Sequence, residues 1–169
     1  MNIQEAFVLG HHYCQKPKNE KSRKITDLFI DVNRTYVWAS YRKGFPSFEG
    51  RQLQSDRGWG CVVRSMQMML AEALKRHFRL VEEQSEKQDS SALFRYNIIK
   101  NIFDNEQSPF SLHNICKQAS ITGNKIGVWF SPSEAGIAIE NLTHKSCSSE
   151  LPNIIVIKDM TLNKMYQIQ

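Results

Sequence analysis

The stretch Ser55-Asp56-Arg57-Gly58-Trp59-Gly60-Cys61, continuing into Val62-Val63-Arg64-Ser65-Met66-Gln67-Met68-Met69-Leu70-Ala71-Glu72-Ala73-Leu74, decides how the rest of the sequence is read. Gly58 and Gly60 free the backbone on either side of Trp59 for conformations that a side chain would forbid, including a close approach by a bound peptide. After Cys61 the apolar residues Val62, Met66, Met69, Leu70, Ala73 and Leu74 recur at intervals of three and four. That spacing predicts an amphipathic helix with this face buried and with Arg64, Gln67 and Glu72 lying elsewhere. Cys61 then stands at the helix start, where unpaired amides carry partial positive charge and favour the thiolate, the nucleophilic form. A lone cysteine ahead of an apolar helix is also a common core residue, so placement by itself leaves both roles open.

Working outward, 169 residues with 41% hydrophobic and 23% charged side chains predict one globular domain with a sizeable core. The net charge of +5 is spread along the chain and is dense only from Lys16 to Lys24. Phosphate binding needs a continuous basic face, so this pattern argues against a nucleic-acid partner and for a solvated basic loop. The cysteines at 14, 61, 116 and 147 form no C-x-x-C pair, and four thiols allow three pairings with nothing to choose among them. The first ten residues include Glu5 and too short an apolar run for a secretory signal, so reduced thiols and a cytoplasmic location are expected. No run approaches the roughly 20 apolar residues that cross a bilayer, so no transmembrane segment is expected.

The segment Ala6-Phe7-Val8-Leu9-Gly10 reads as a short strand at a sheet edge. His11-His12-Tyr13-Cys14 follows, but neighbouring side chains of an extended segment point to opposite faces and paired metal ligands are lacking, so neither metal nor cofactor is expected. The H-x-x-C pairs His113/Cys116 and His144/Cys147 could each face one way, yet core or surface placement accounts for them. Residues 15–24 are expected to form an exposed loop. A short helix within 25–38, capped by Thr26 or Asp27, should lead into an extended Ala39-Ser40-Tyr41.

Past the central helix, residues 82–91 lack apolar periodicity and read as a helix end or exposed loop. Residues 92–103 should be a second core helix, broken by polar residues and a proline at 104–109. Residues 110–119 form another helix, with Ser108 or Ser111 as cap and Gly123 beyond its end. Ser131-Pro132-Ser133-Glu134 opens a further helix, running to about Leu142, with a capping serine, proline at the first helical position and glutamate three residues after the cap. Ile154-Ile155-Val156-Ile157 suits a buried strand. No internal repeat appears.

The central motif, preceded by Tyr41-Arg42-Lys43-Gly44-Phe45-Pro46 and followed by Arg64 and Gln67-Met68, resembles the autophagins, the papain-like cysteine proteases of autophagy. Val8-Leu9-Gly10, Ser111-Leu112-His113-Asn114-Ile115 and Ile126-Gly127-Val128-Trp129-Phe130-Ser131-Pro132-Ser133 resemble further segments, so the likeness runs from about residue 6 to about residue 160. It implies an α+β fold of the papain-like class: an N-terminal helical part with the nucleophile at a helix start. It also implies cleavage after the C-terminal glycine of a ubiquitin-like autophagy modifier, both to prime it and to release it from phosphatidylethanolamine. Cys61 stands where the family has its nucleophile, and Tyr41 where it has an oxyanion-stabilising tyrosine. Trp129 matches the tryptophan that covers the groove, and Trp59 is the second expected substrate-binding residue. The partners implied are the modifier and its phosphatidylethanolamine conjugate, with membrane contact only through the lipidated substrate.

One departure matters. Thiol proteolysis also needs a histidine and a group to orient it, and autophagins carry these in an Asp-Pro-His triplet far downstream. The 169 residues contain no such triplet, and only 108 of them follow Cys61. His77, His113 and His144 read as helix-face or helix-end residues. The expectation is therefore a single, incomplete autophagin-type domain over 1–169, with most of its sheet missing and little activity alone. The alternative is a short protein that binds the modifier without cleaving it.

Overall fold

The structure, a computed structural model, describes residues 4–8, 10–17, 19, 22–34, 36–48, 52–85, 91–145 and 151–155. The chain divides into two compact units, residues 1–37 and 38–169. Helices together with a small three-stranded sheet make the described chain α+β.

In the first unit β1 (Glu5–Val8), β2 (His11–Cys14) and β3 (Ser22–Lys24) form a sheet in that order. β1 is the expected edge strand, antiparallel to β2 with Val8 opposite His11, and Gly10 takes φ +83° in the hairpin between them. β2 runs parallel to β3 with His12 opposite Ser22, so the stretch 15–24, expected as a loop throughout, ends in a strand. Tyr13 is fully buried, and its hydroxyl lies 3.1 Å from that of Tyr36. His12 meets Glu5 at 2.5 Å and Ser22 at 3.0 Å and stacks on Phe7. α1 (Ile25–Arg34) starts directly after β3. Thr26 and Asp27, expected as caps, instead lie inside its first turn, because the strand itself delivers the chain to the helix.

The second unit is built on α2 (Cys61–Ser85), with α3 (Ser91–Ile99), α4 (Leu112–Ile121) and α5 (Pro132–Lys145) packed on it and α4 against α5. Val63, Leu70, Ala71 and Leu74 of α2 are buried, as are Ile98, Phe110, Leu112, Ile115, Ala119, Ala135, Ala138 and Ile139 of the elements around it. The helix after Cys61 is as expected, but its buried face is rotated from the one that the apolar spacing indicated. Arg64 and Gln67 are buried, whereas Met69 is 58% exposed and Ala73 is also exposed. The reason is polar pairing: Gln67 donates to the carbonyls of Phe110 (2.8 Å) and Ile102, and Arg64 reaches two carboxylates, so this face holds the α3–α4 connection.

α2 continues to Ser85, four residues into the stretch expected to be a loop, and residues 86–90 lie outside the described residues. α3 stops at Ile99 rather than reaching Phe103. Asn101, Ile102 and Ser108 fold inward instead, and Phe110 donates its amide to Asn101 at 2.8 Å. Ser111 is the N-cap of α4, accepting from the Asn114 amide at 3.1 Å, and Gly123 follows with φ +95°. The capping box of α5 forms in full: the Glu134 carboxylate accepts from the Ser131 amide at 2.6 Å and the Ser131 hydroxyl from the Glu134 amide at 3.2 Å. The Ser131 amide, and after it the Ser131 side chain, hold the Glu134 carboxyl below its ordinary range. Ile154 and Ile155 form no strand, and Ile155 is half-exposed, since the described residues of this unit offer no strand to pair with them. Val156 and Ile157 lie outside the described residues. No described helix is long and apolar enough to cross a membrane.

Candidate active site

Cys61 is the first residue of α2 and is partly exposed. The loop before it is folded around Asp56, which is fully buried. The Asp56 carbonyl accepts from the amides of Trp59 (3.2 Å) and Gly60 (2.8 Å), and Gly58 takes φ +89° so that the turn can close. Gly60 is required for a different reason. A Cβ there would stand 2.7 Å from both Cβ and Oδ2 of Asp56, a side chain already held at each oxygen. The chain thus enters α2 through a turn pinned at Asp56, Gly58 and Gly60.

The same carboxylate reaches toward Tyr41. Asp56 Oδ1 accepts from the Arg42 amide at 2.6 Å and Asp56 donates its amide to the Arg42 carbonyl at 3.3 Å, while Gly44 donates to Gln54 at 2.8 Å. Lys43 and Ser55 form an antiparallel bridge between these contacts. Residues 42–44 are therefore laid against 54–56, and Tyr41, 48% exposed, hangs at the end of this short ladder.

Arg64 completes the arrangement from the first turn of α2. Its Nε donates to Asp56 Oδ2 at 2.7 Å, Nη1 to Asp104 Oδ1 at 2.8 Å and to Gln67 Oε1 at 3.0 Å, and Nη2 to Asp104 Oδ2 at 3.1 Å. Arg42 Nη1 meets Asp104 from the other side at 3.0 Å. Burial on its own pulls the Arg64 pKa down, but the hydrogen bonds and charges of Asp104 and Asp56 outweigh it and the net shift is upward. Two buried carboxylates and two guanidinium groups balance, which satisfies the demand that buried charge be paired.

Trp129 is 71% exposed, and its indole N–H donates to the Gly58 carbonyl, so the 127–130 segment lies against the loop that presents Cys61. Trp59 is placed differently. It is 6% exposed, donates to the Ser55 carbonyl at 2.9 Å and packs edge-on against Phe48. Phe48 stacks on His113 at 4.5 Å, and His113 meets Phe45 edge-on and donates from Nε2 to the Pro46 carbonyl at 2.6 Å. Trp59 therefore anchors the cysteine loop from within and presents little surface to a substrate, whereas Trp129 is open to one.

None of the second unit's three histidines hydrogen-bonds Cys61 among the described residues. His113 is committed to Pro46 and its aromatic neighbours, and His144 stands at the end of α5. His77 lies sixteen residues along α2, about 24 Å at 1.5 Å per residue. Cys116, the partner of His113 in one H-x-x-C pair, is fully buried. Burial pushes its thiol up to about 12; Arg64 lowers it and Asp56 raises it. No group of three or more metal-binding side chains occurs among the described residues. Alkylation of the folded protein near neutral pH is expected to modify Cys61 first and Cys116 only on unfolding, because the thiolate is the reacting form. Faster labelling of Cys14, Cys116 or Cys147 would remove Cys61 from its role; Cys147 lies outside the described residues.

The sequence pointed to Cys61, Tyr41 and Trp129 but gave no role to Asp56, Arg64 or Asp104. The available signal was an arginine one turn into an otherwise core-facing helix, with an aspartate eight residues before it. Its third member, Asp104, lies 40 residues away and had no local mark.

Comparison with known proteins gives a family match over residues 25–168, described as the peptidase C54 catalytic domain. Curated relatives include cysteine protease ATG4D of Xenopus laevis, 32% identical over 94% of this chain and 42% of that protein. Cysteine protease ATG4A of Homo sapiens is 28% identical over 91% of this chain and 38% of its own length. The probable cysteine protease ATG4 of Komagataella pastoris is 32% identical over 75% of this chain and 28% of its own length. The chain spans less than half the length of each of these relatives.

Proposed function

Since this chain belongs to the peptidase C54 family, we propose that it supplies the nucleophile half of a cysteine protease of autophagy. Its substrate is a ubiquitin-like modifier, cut after the C-terminal glycine to prime it or to release it from phosphatidylethanolamine. Cys61 attacks the glycine carbonyl, and its amide, at a helix start with no intrahelical acceptor, faces the developing oxyanion together with the Tyr41 hydroxyl. Trp129 lies over the loop and narrows the approach to what a glycine tail can pass. Trp59 contributes by holding the loop in place. The leaving amine takes its proton from a histidine of an Asp-Pro-His region, which these 169 residues do not contain. No cofactor is required, and the setting is the cytoplasm.

The observation that carries this reading is the convergence on one loop. Cys61 is partly exposed at the start of α2, the Tyr41 segment is fastened to Asp56, and the Trp129 indole rests on Gly58. Binding without cleavage is the second reading, favoured by the absence of a histidine hydrogen-bonded to the thiol among the described residues. A transcript with an in-frame Asp-Pro-His beyond Gln169 would decide for the protease.

In a chain carrying that region, Tyr41→Phe is expected to lower kcat on the order of ten- to a thousand-fold with little change in KM, as removal of one oxyanion donor does. Trp129→Ala should leave kcat for the glycine substrate near wild type and admit tails with larger residues. Unchanged turnover in Tyr41→Phe would exclude that hydroxyl from the site.

A further inference from the structure

We propose that Arg64 is a positioning residue that sets the Cys61 loop and the Tyr41 segment against each other through a single planar guanidinium. The inference rests on the proposed function only in taking Cys61 and Tyr41 as the groups that need to be placed. Its physical basis is the count of contacts on one fork. Arg64 spends Nε on Asp56, which in turn holds the Arg42 amide and packs on Gly60, the residues next to Tyr41 and Cys61. It spends Nη1 and Nη2 on Asp104, which also takes the Arg42 guanidinium. Arg42 is thus gripped at two points, its amide by Asp56 and its side chain by Asp104, and both grips close on Arg64.

Charge alone would not do this. A lysine brings the same charge as one ammonium on a flexible stem and cannot hold two carboxylates and the Gln67 carbonyl in fixed directions. Burial sharpens the demand. The Arg64 and Asp56 side chains are 3% and 0% exposed, so neither can turn to water when the geometry loosens. Asp104 at 8% is nearly as enclosed, whereas Arg42, at 44%, can leave at little cost. A cluster needed only for folding would tolerate any arrangement that keeps its charges paired.

The test uses residues 1–169 and requires no protease activity. Arg64→Lys, Arg64→Gln and Arg42→Gln are compared with wild type by thermal melting, by amide hydrogen exchange, and by site-resolved iodoacetamide labelling of Cys61 and Cys14 at one near-neutral pH, well below each melt. In Arg64→Lys the Cys61 rate is expected to fall about ten-fold, since the loop that presents the thiol at the helix start loses its fixed seat on Asp56. Cys14, in the other unit, should label at the wild-type rate. Arg42→Gln should keep the wild-type melt and Cys61 rate but raise amide exchange at 40–42. Should Arg64→Gln fail to fold, Arg64→Lys and Arg42→Gln carry the test. Wild-type labelling of Cys61 in Arg64→Lys, whatever its melting temperature, would show that paired charge suffices and overturn the proposal. Unchanged exchange at 40–42 in Arg42→Gln would overturn the second grip. Neither outcome depends on whether the protein cleaves anything, so failure here is distinguishable from failure of the protease reading.

Discussion

Residues 1–169 alone are expected to cleave a ubiquitin-like modifier about 10² to 10⁴ times more slowly than a chain in which Gln169 is followed by an Asp-Pro-His region, the usual worth of general acid–base help. In the proposed reaction, attack by the Cys61 thiolate places negative charge on the carbonyl oxygen, to be stabilised by backbone and Tyr41 donors, but the C–N bond does not break until the amine is protonated. His113 cannot serve, because its Nε2 is bound to the Pro46 carbonyl and its ring is closed in by Phe45 and Phe48. His77 is too far along α2. Cleavage of a modifier extended beyond its terminal glycine, followed by mass spectrometry, compares the two chains. Equal rates would require an unconventional base among the histidines present.

Asp56→Ala should destabilise the second unit by about 3–5 kcal/mol, the cost of removing one partner from a buried ion pair. Three losses coincide at that position. Arg64 loses the acceptor for Nε, the Arg42 amide loses its partner, and the turn before Cys61 loses the side chain against which Gly60 packs. A unit whose total stability is on the order of 5–15 kcal/mol can lose most of it in this way. Denaturant titration of both forms measures the difference. A loss below about 1 kcal/mol would mean that the pair is no better than a surface salt bridge.

How much of this was legible in the sequence depended on the range of the interactions. The α5 capping box, the Ser111 cap and the entry of Cys61 into α2 are set by residues within four positions of one another, and the structure has them where the sequence indicated. Arg64 and Gln67 were assigned to the wrong face because charge and amide groups ordinarily remain in water, and what reverses this is Asp104 and the Phe110 carbonyl, 40 and 43 residues away. The same physics shifted the buried stripe of α2 and left Met69 exposed. α3 ended early because Asn101 and Ser108 form inward hydrogen bonds to backbone carbonyls, which no helical periodicity encodes. Of the candidate site, Cys61, Tyr41 and Trp129 were visible through a resemblance between motifs, whereas the charge cluster that ties the Cys61 and Tyr41 segments together joins residues up to 62 positions apart and left no local mark. Trp59 was read as facing a substrate, and its burial against Phe48 became apparent only once the 45–48 loop was in place.

The central claim is that Cys61 is the thiol presented to a glycine-ended modifier. The direct measurement is to incubate the protein with a ubiquitin-like modifier whose C-terminal glycine bears a thiol-reactive electrophile, then map the adduct by peptide mass spectrometry in wild type and in Cys61→Ala. The account predicts one adduct, on Cys61, that is lost in Cys61→Ala while Cys14, Cys116 and Cys147 stay free. An adduct on any of those three thiols in the wild type, or one that persists in Cys61→Ala, would contradict it.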